Sequence, residues 1–258
     1  MEKLNYQYLI YIQFLGFRYS GWMYQPKVKT VQGMVDKTFE FMFPKTAFKT
    51  FGTGRTDARV SANKFGFQLQ IDTELPADFI DQFNINLPSD IRALSYKAVA
   101  ADFNPLGQHG LKYYIYLFSY GEKAHPFSAN MVHNQLGHLN IELMQVGARL
   151  FEGEHDFRKY CTRPSENTEF IRTISLCEIN KDIPYQASFF PDNLHALHIK
   201  SAGFMRYQIR LIMGQLLALG RGDLNIEDIE ASLNPKDNDP MRYNTPGSGL
   251  ILEAIEDK

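Results

Sequence analysis

The side chains best suited to chemistry lie in one short run, Phe51-Gly52-Thr53-Gly54-Arg55-Thr56-Asp57-Ala58-Arg59-Val60-Ser61-Ala62. An acid follows a base by two residues, and two preceding glycines free the backbone. Catalytic groups concentrate in such connections because a rigid scaffold holds them while they stay accessible. Arg55 and Asp57 are close enough in sequence to pair. A carboxylate beside a guanidinium keeps a depressed pKa and stays ionised at neutral pH. That suits a nucleophile or a charge stabiliser, and suits a proton-donating acid poorly. The plainer reading is an Asp that caps a turn by bonding its own backbone. No Lys-Ser/Thr follows the glycines, which excludes a phosphate-binding P-loop.

Two further constellations stand apart from this run. In Lys112-Tyr113-Tyr114-Ile115-Tyr116, a strand points Tyr114 and Tyr116 one way and Tyr113 the other. A tyrosine in a cleft can stack on a nucleobase and use its hydroxyl as donor or acceptor. Strand tyrosines also occur simply as packing residues. The run Phe204 to Gly214 predicts a helix with Arg206 and Arg210 four apart on one face. Ile209, Ile212, Met213 and Leu216 form its core stripe, so Arg210 borders the buried side and needs an anionic partner. Asp57 is such a partner, and a purely structural arginine is the alternative. His195 and His198 face opposite sides of a strand and cannot share a metal. His133 and His138 read as loop residues, and His155 as part of a helix end. Nothing here has zinc or iron ligand spacing, a Ser-His-Asp order or a dinucleotide fingerprint.

The elements that must position these groups alternate irregularly. Tyr6 to Phe14 repeats with period two, as a strand does. Val31 to Met42 has helical spacing behind a Thr30 cap. Phe65 to Ile71 is a strand, Ala77 to Phe83 a short helix, and Ile91 to Val99 a strand. After a Pro- and Gly-containing stretch at 101–110, the order recurs. Lys112 to Phe118 is a strand and Ile141 to Phe151 a helix capped by Asn140. Thr173 to Ile179 and Leu194 to Ile199 are strands. Met205 to Leu219 is a long helix stopped by Gly220, and Asn225 caps another that runs to Leu233. Leu250 to Ile255 closes as a strand. The absence of regular βαβ alternation argues for α+β with mixed or antiparallel sheet. Two subdomains are expected, residues 1–105 and 106–258.

The 258 residues carry 44% hydrophobic side chains, enough for a substantial core. No apolar run approaches a membrane span, and the first residues lack a signal-peptide pattern, so a cytoplasmic location is expected. Cys161 and Cys177 are read as reduced and partly buried. Net charge is −2, so any RNA surface must be a local patch. The basic residues from Arg149 to Arg221 are the candidate, with about half expected to be ordinary solvated surface.

In this order, the constellations resemble the tRNA pseudouridine synthase A family. Its GRTDAGVHA loop stands here as Gly54 to Ala62, its K-x-Y-x-Y strand as Lys112, Tyr114 and Tyr116, its R-N-x-x-G helix as Arg210 to Gly214, and its G-L-x-L as Gly249 to Leu252. Gly21-Trp22, Val31-Gln32-Gly33, Asn86-Leu87-Pro88-x-Asp90, Gly153 to Phe157 and Arg172-Thr173-Ile174 agree as well. The resemblance spans essentially the whole chain. It implies two similar subdomains whose mixed, mainly antiparallel sheets join at a central RNA cleft. It implies a cofactor-free homodimer acting on uridines of the tRNA anticodon stem-loop. Asp57 is then the catalytic nucleophile, Tyr114 the base-stacking tyrosine and Arg210 the carboxylate's partner. Arg55, Lys112, Arg206 and Leu252 become substrate-binding positions, and Arg59, this chain's own addition to the loop, is expected to join them by restoring a basic contact locally.

The chain departs from the family at several of these places. Arg59 stands where Gly is usual, and a positive φ there strains an arginine. Ser61 replaces His, and Met23 follows Trp22 in place of Gln. The family's F-H-A-R-F-S-A reads Phe103-Asn104-Pro105-Leu106-Gly107-Gln108-His109, so a guanidinium has become Leu106. Alternatives are the same reaction on another RNA or tRNA site, and an RNA-binding paralogue with weakened turnover. A metabolite glycosidase lacks the second carboxylate that its chemistry requires.

Overall fold

The computed structural model describes residues 4–107, 110–237 and 239–255. Gln108 and His109 of the divergent 103–109 stretch fall outside them. The chain divides into two compact units, Met1–His109 with Leu252–Ile255, and Gly110–Ile251 with Glu256–Lys258.

The first unit holds β1 (Tyr6–Phe14), α1 (Val31–Met42), β2 (Phe48–Gly52), β3 (Ser61–Ile71), α2 (Phe79–Asn86) and β4 (Ile91–Ala98). Its strands run β4-β1-β3, all antiparallel, and β2 pairs with Phe67–Ile71 of β3. Residues Leu252–Ile255 of the last strand, β10 (Leu250–Ile255), neighbour β3. The period-two pattern of β1 sets its register, with Ile10 opposite Phe67 and Ile12 opposite Phe65. The helices meet this sheet through aromatic rings, Phe39 with Phe67 of β3 at 6.4 Å and Phe79 with Tyr96 of β4 at 5.3 Å, and meet each other the same way. Phe39 of α1 lies 4.8 Å from Phe83 and 5.9 Å from Phe79 of α2. Thr30 caps α1 by accepting from the Gly33 N–H at 3.1 Å, satisfying one orphan donor.

The second unit holds β5 (Lys112–Gly121), β6 (His133–Leu136), α3 (Ile141–Arg149), β7 (Gly153–Asp156), β8 (Ile171–Asn180), β9 (His195–Ser201), α4 (Gln208–Arg221) and α5 (Ile226–Leu233). Strands β5-β9-β8-β7 are antiparallel, while β6 runs parallel to β5. The molecule is α+β with a mixed, mainly antiparallel arrangement, as expected. Asn140 caps α3, and Asn225 and Asp228 form a reciprocal capping box on α5.

Four expectations change. His133 belongs to strand β6 rather than a loop, and His155 to strand β7 rather than a helix end. Both are four-residue strands that exist only through pairing with β5 and β8. Helix α4 starts at Gln208, because Tyr207 adopts φ 66° and blocks extension backwards. Arg206 therefore precedes the helix instead of sharing a face with Arg210. At its other end α4 passes through Gly220 and stops at Gly222, φ 80°. Gly220 serves packing: a Cβ there would lie 2.4 Å from Met144 Sδ of α3. Both cysteines are buried. No described helix is long and apolar enough to cross a membrane.

Candidate active site

The Asp57 loop runs from β2 to β3 and is gripped by the segment between β1 and α1. Thr53 anchors its start, its N–H and Oγ1 both donating to the Gly66 carbonyl at 2.9 and 2.8 Å. Trp22 packs beneath, 4.5 Å from Phe65, and donates its backbone N–H to Thr56 O at 3.4 Å. Gly21, φ 88°, lies so close that a Cβ would be 2.3 Å from Thr56 O. Past the acid, Val60 N–H bonds Asp57 O at 3.2 Å and Arg59 N–H bonds Tyr19 O at 2.9 Å. Gly16 donates to Ser61 Oγ at 2.9 Å, and a Cβ on Gly16 would meet Val60 O at 2.0 Å. The serine that replaces the family histidine thus closes this grip. Nearly every turn of the loop is fixed by backbone, which holds the half-buried Asp57 in place.

The gripping segment is itself fixed. Asp90 accepts from Arg18 Nε, from Arg18 Nη2 at 2.7 Å and from Tyr19 OH at 2.7 Å. Burial opposes the charge on Asp90, yet these bonds outweigh it and hold the carboxyl below its usual range.

Arg55 does not pair with Asp57. It is exposed and forms no ion pair among the described residues. An exposed ion pair is worth only about 0–1 kcal/mol, too little to shape a loop already set by backbone bonds. Arg59 does carry the expected strain, with φ 68°.

In the second unit, Tyr114 sits on β5, 9% exposed, with its ring edge-on to Phe204 at 5.5 Å. Tyr116 faces the same way and is fully buried, its hydroxyl donating to Pro246 O at 2.8 Å. Tyr113 faces oppositely and meets His198 Nδ1 at 2.6 Å. Burial pushes the Lys112 amine below its usual pKa. Arg210 opens α4 in a fixed pose. Its Nε donates to Thr245 O at 2.7 Å, its guanidinium covers the Tyr207 ring at 4.4 Å, and its own carbonyl accepts from Thr245 N–H and Oγ1. Gly214 lets α4 approach this strap, since a Cβ would lie 2.0 Å from Tyr243 O. The family's Arg-x-x-x-Gly spacing thus matches a clamp, with the arginine held and the glycine making room. Arg206 covers the same Tyr207 ring at 5.3 Å. Leu252 is 2% exposed on β10.

The basic stretch is largely neutralised by neighbouring acids. Arg149 binds Glu152 and Glu178, Arg158 binds Asp156, Lys159 binds Asp237, and Arg221 binds Asp223. Leu106 is exposed. Among the described residues no three His, Cys, Asp or Glu side chains come together as a metal site. Sequence reasoning missed Gly16, Tyr19, Tyr207 and Thr245. Two glycines flanking an isolated aromatic loop, Gly16 and Gly21 before Trp22, were the available signal of close backbone approach. Tyr207 and Thr245 carried none.

One unit therefore presents a carboxylate on an immobilised loop, and the other a shielded phenol and a locked guanidinium. Comparison with known proteins adds to this. A family model described as tRNA pseudouridine synthase matches residues 148–256. The chain is 32% identical over 254 residues to tRNA pseudouridine synthase A of Thermosipho melanesiensis, covering 96% of this chain and 98% of the relative. It is 33% identical over 248 residues to the protein of that name from Exiguobacterium sibiricum, covering 95% and 94%. The Aquifex aeolicus protein of that name is 28% identical over 249 residues, covering 96% and 98%.

Proposed function

The chain belongs to the tRNA pseudouridine synthase A family, and from that premise we propose that it isomerises uridine to pseudouridine in the anticodon stem-loop of tRNA with Asp57 as nucleophile. The observation that carries this reading is the Asp57 loop, where the family's signature run coincides with a carboxylate fixed by bonds at Thr53, Thr56, Asp57 and Arg59. The target base must leave the helix stack to reach it. The carboxylate attacks the ribose carbon, and the N-glycosidic bond breaks with its electron pair going to the uracil nitrogen. The retained uracil turns, its C5 bonds the ribose carbon as the carboxylate departs, and the C5 proton is lost while N1 gains one. Atoms balance without any co-reactant. Tyr114 stacks on the base and serves in removal of the C5 proton. Arg210 supplies the cation that keeps the acid ionised. Lys112 and Arg206 contact RNA, Arg55 handles the extruded nucleotide, and Leu252 forms apolar wall. The working form in this reading is a cytoplasmic homodimer.

One feature favours a different target uridine on the same chemistry. Leu106, 71% exposed, stands where the family has an RNA-handling arginine. Mapping pseudouridine across total RNA with wild-type protein, with Asp57→Asn and without the protein separates the readings. Loss at anticodon stem-loop sites supports the first, and loss confined to other sites supports the second. If no site depends on Asp57, the nucleophile assignment is wrong.

A further inference from the structure

Arg59 occupies the third position of the turn Asp57-Ala58-Arg59-Val60, closed by Val60 N–H to Asp57 O at 3.2 Å. Its φ of 68° lies where a β-carbon is crowded and glycine is the easy occupant. The turn cannot relax this strain by rotating away. The Arg59 N–H is held by Tyr19 O, and the Val60 carbonyl lies flush on Gly16. Backbone strain kept beside a functional group points to a side chain that has work there.

That side chain is exposed, and its guanidinium covers the Phe17 ring at 5.3 Å. Phe17 is itself 40% exposed and serves as a platform rather than core. Stacking occupies the face of a guanidinium and leaves its in-plane N–H groups pointing outward, in the fork that fits a bidentate oxyanion. Among the described residues no carboxylate pairs with Arg59, in contrast to Arg149, Arg158 and Arg221. In a chain of net charge −2, this is cationic surface two residues from the proposed nucleophile.

We propose that Arg59, braced on Phe17, binds one backbone phosphate of the substrate RNA and so sets the position of the target nucleotide against the Asp57 loop. This rests on the synthase reading for its substrate. Phosphates supply most of the affinity of RNA for basic side chains, and each neutralised phosphate adds a fixed increment to the salt dependence of binding. The strain has a second consequence: a glycine at this position relieves it, so the variant that removes the contact also makes the fold more stable.

The test uses Arg59→Gly, Arg59→Lys and Asp57→Asn with unmodified full-length tRNA. Melting temperature, affinity across a salt series and pseudouridine formation are read for each. Arg59→Gly is expected to melt at a higher temperature than wild type and to bind tRNA about ten-fold more weakly. Its slope of log K against log salt should be shallower by about one unit. Arg59→Lys should keep the slope and lose part of the affinity. Unchanged affinity and slope in Arg59→Gly overturn the proposal, as does an equal loss in Arg59→Lys. Binding is measured independently of turnover, so Asp57→Asn separates the two ideas. If that variant still makes pseudouridine, the nucleophile assignment fails, while the slope of Arg59→Gly still decides the phosphate contact.

Discussion

Gly214→Ala offers a direct probe of how the Arg210 clamp is built. The added methyl would lie 2.0 Å from Tyr243 O and 2.6 Å from Tyr243 C. These are backbone atoms, so no rotamer change can clear them, and ordinary contact needs the strap to retreat by more than 1 Å. The retreat acts on four hydrogen bonds: Arg210 Nε to Thr245 O, Thr245 N–H and Oγ1 to Arg210 O, and Tyr116 OH to Pro246 O. Each is worth about 1 kcal/mol net, and overpacking a fitted site costs about 1–3 kcal/mol. Losing half of the bonds and part of the packing gives about 3 kcal/mol of destabilisation. For a chain of this size that lowers the melting temperature by roughly 6–12 °C. Turnover should fall about 100-fold, because a shift near 1 Å in a positioning group has that effect. Thermal melts by circular dichroism and single-turnover pseudouridine formation measure both. Gly203→Ala is the control, since its Cβ would meet nothing within 4 Å. If the two variants melt within about 2 °C of each other, or Gly214→Ala keeps wild-type turnover, the clamp does not hold Arg210.

Two other groups give independent tests. Burial is the main cause that pushes the Asp36 carboxyl up to about 6, with a bond from Thr50 opposing it and Glu40 adding to it. The folded state then binds a proton more readily than the unfolded chain, so this group's contribution falls as pH rises from about 4 to 6. Asp36→Asn keeps an acceptor for Thr50 and should raise stability at pH 8 by about 1–2 kcal/mol after solvent screening, with little change at pH 4. An equal effect at both pH values refutes this assignment. Burial also pushes both thiols, Cys161 and Cys177, above the usual cysteine range. Neither should react with an aromatic disulfide reagent in the native protein, and both should react once it is unfolded. Rapid native labelling of either contradicts their packing.

The helices that sequence revealed best carry their own boundary signals. Thr30, Asn140 and Asn225 each cap the helix that follows, because one side-chain oxygen satisfies a local N–H whatever the rest of the fold does. The alternating faces of β5 were equally legible, down to Tyr113 opposing Tyr114. Features made by distant partners were not. Strands β6 and β7 have no pattern of their own, and Gly220 looked like a stop although Met144 across the helix pair requires it to be small. Among the candidate residues, the sequence singled out Asp57, Tyr114 and Arg210 and foresaw the strain at Arg59. It suggested an Arg55–Asp57 pair that is absent, because the loop is set by backbone bonds from residues 16–22. It also put Arg206 on the helix, which the left-handed Tyr207 forbids.

The way β10 is shared has a consequence for synthesis. The edge of β3 facing away from β1 is covered over Phe67–Ile71 by β2, while Leu252–Ile255 lies beside β3 and Glu253 accepts from Asn63 at 2.9 Å. On the ribosome, β1 to β4 emerge long before residues 252–255 exist. At ordinary elongation rates the wait is roughly 10–30 s. For that time the unit bearing Asp57 has an uncovered strand edge right after the Asp57 loop, open to pairing with another chain. Completion of this loop's support therefore waits for the synthesis of residues 252–255, and a nascent chain cut short before Leu252 should fold its second unit's helices yet leave the Asp57 unit prone to aggregation.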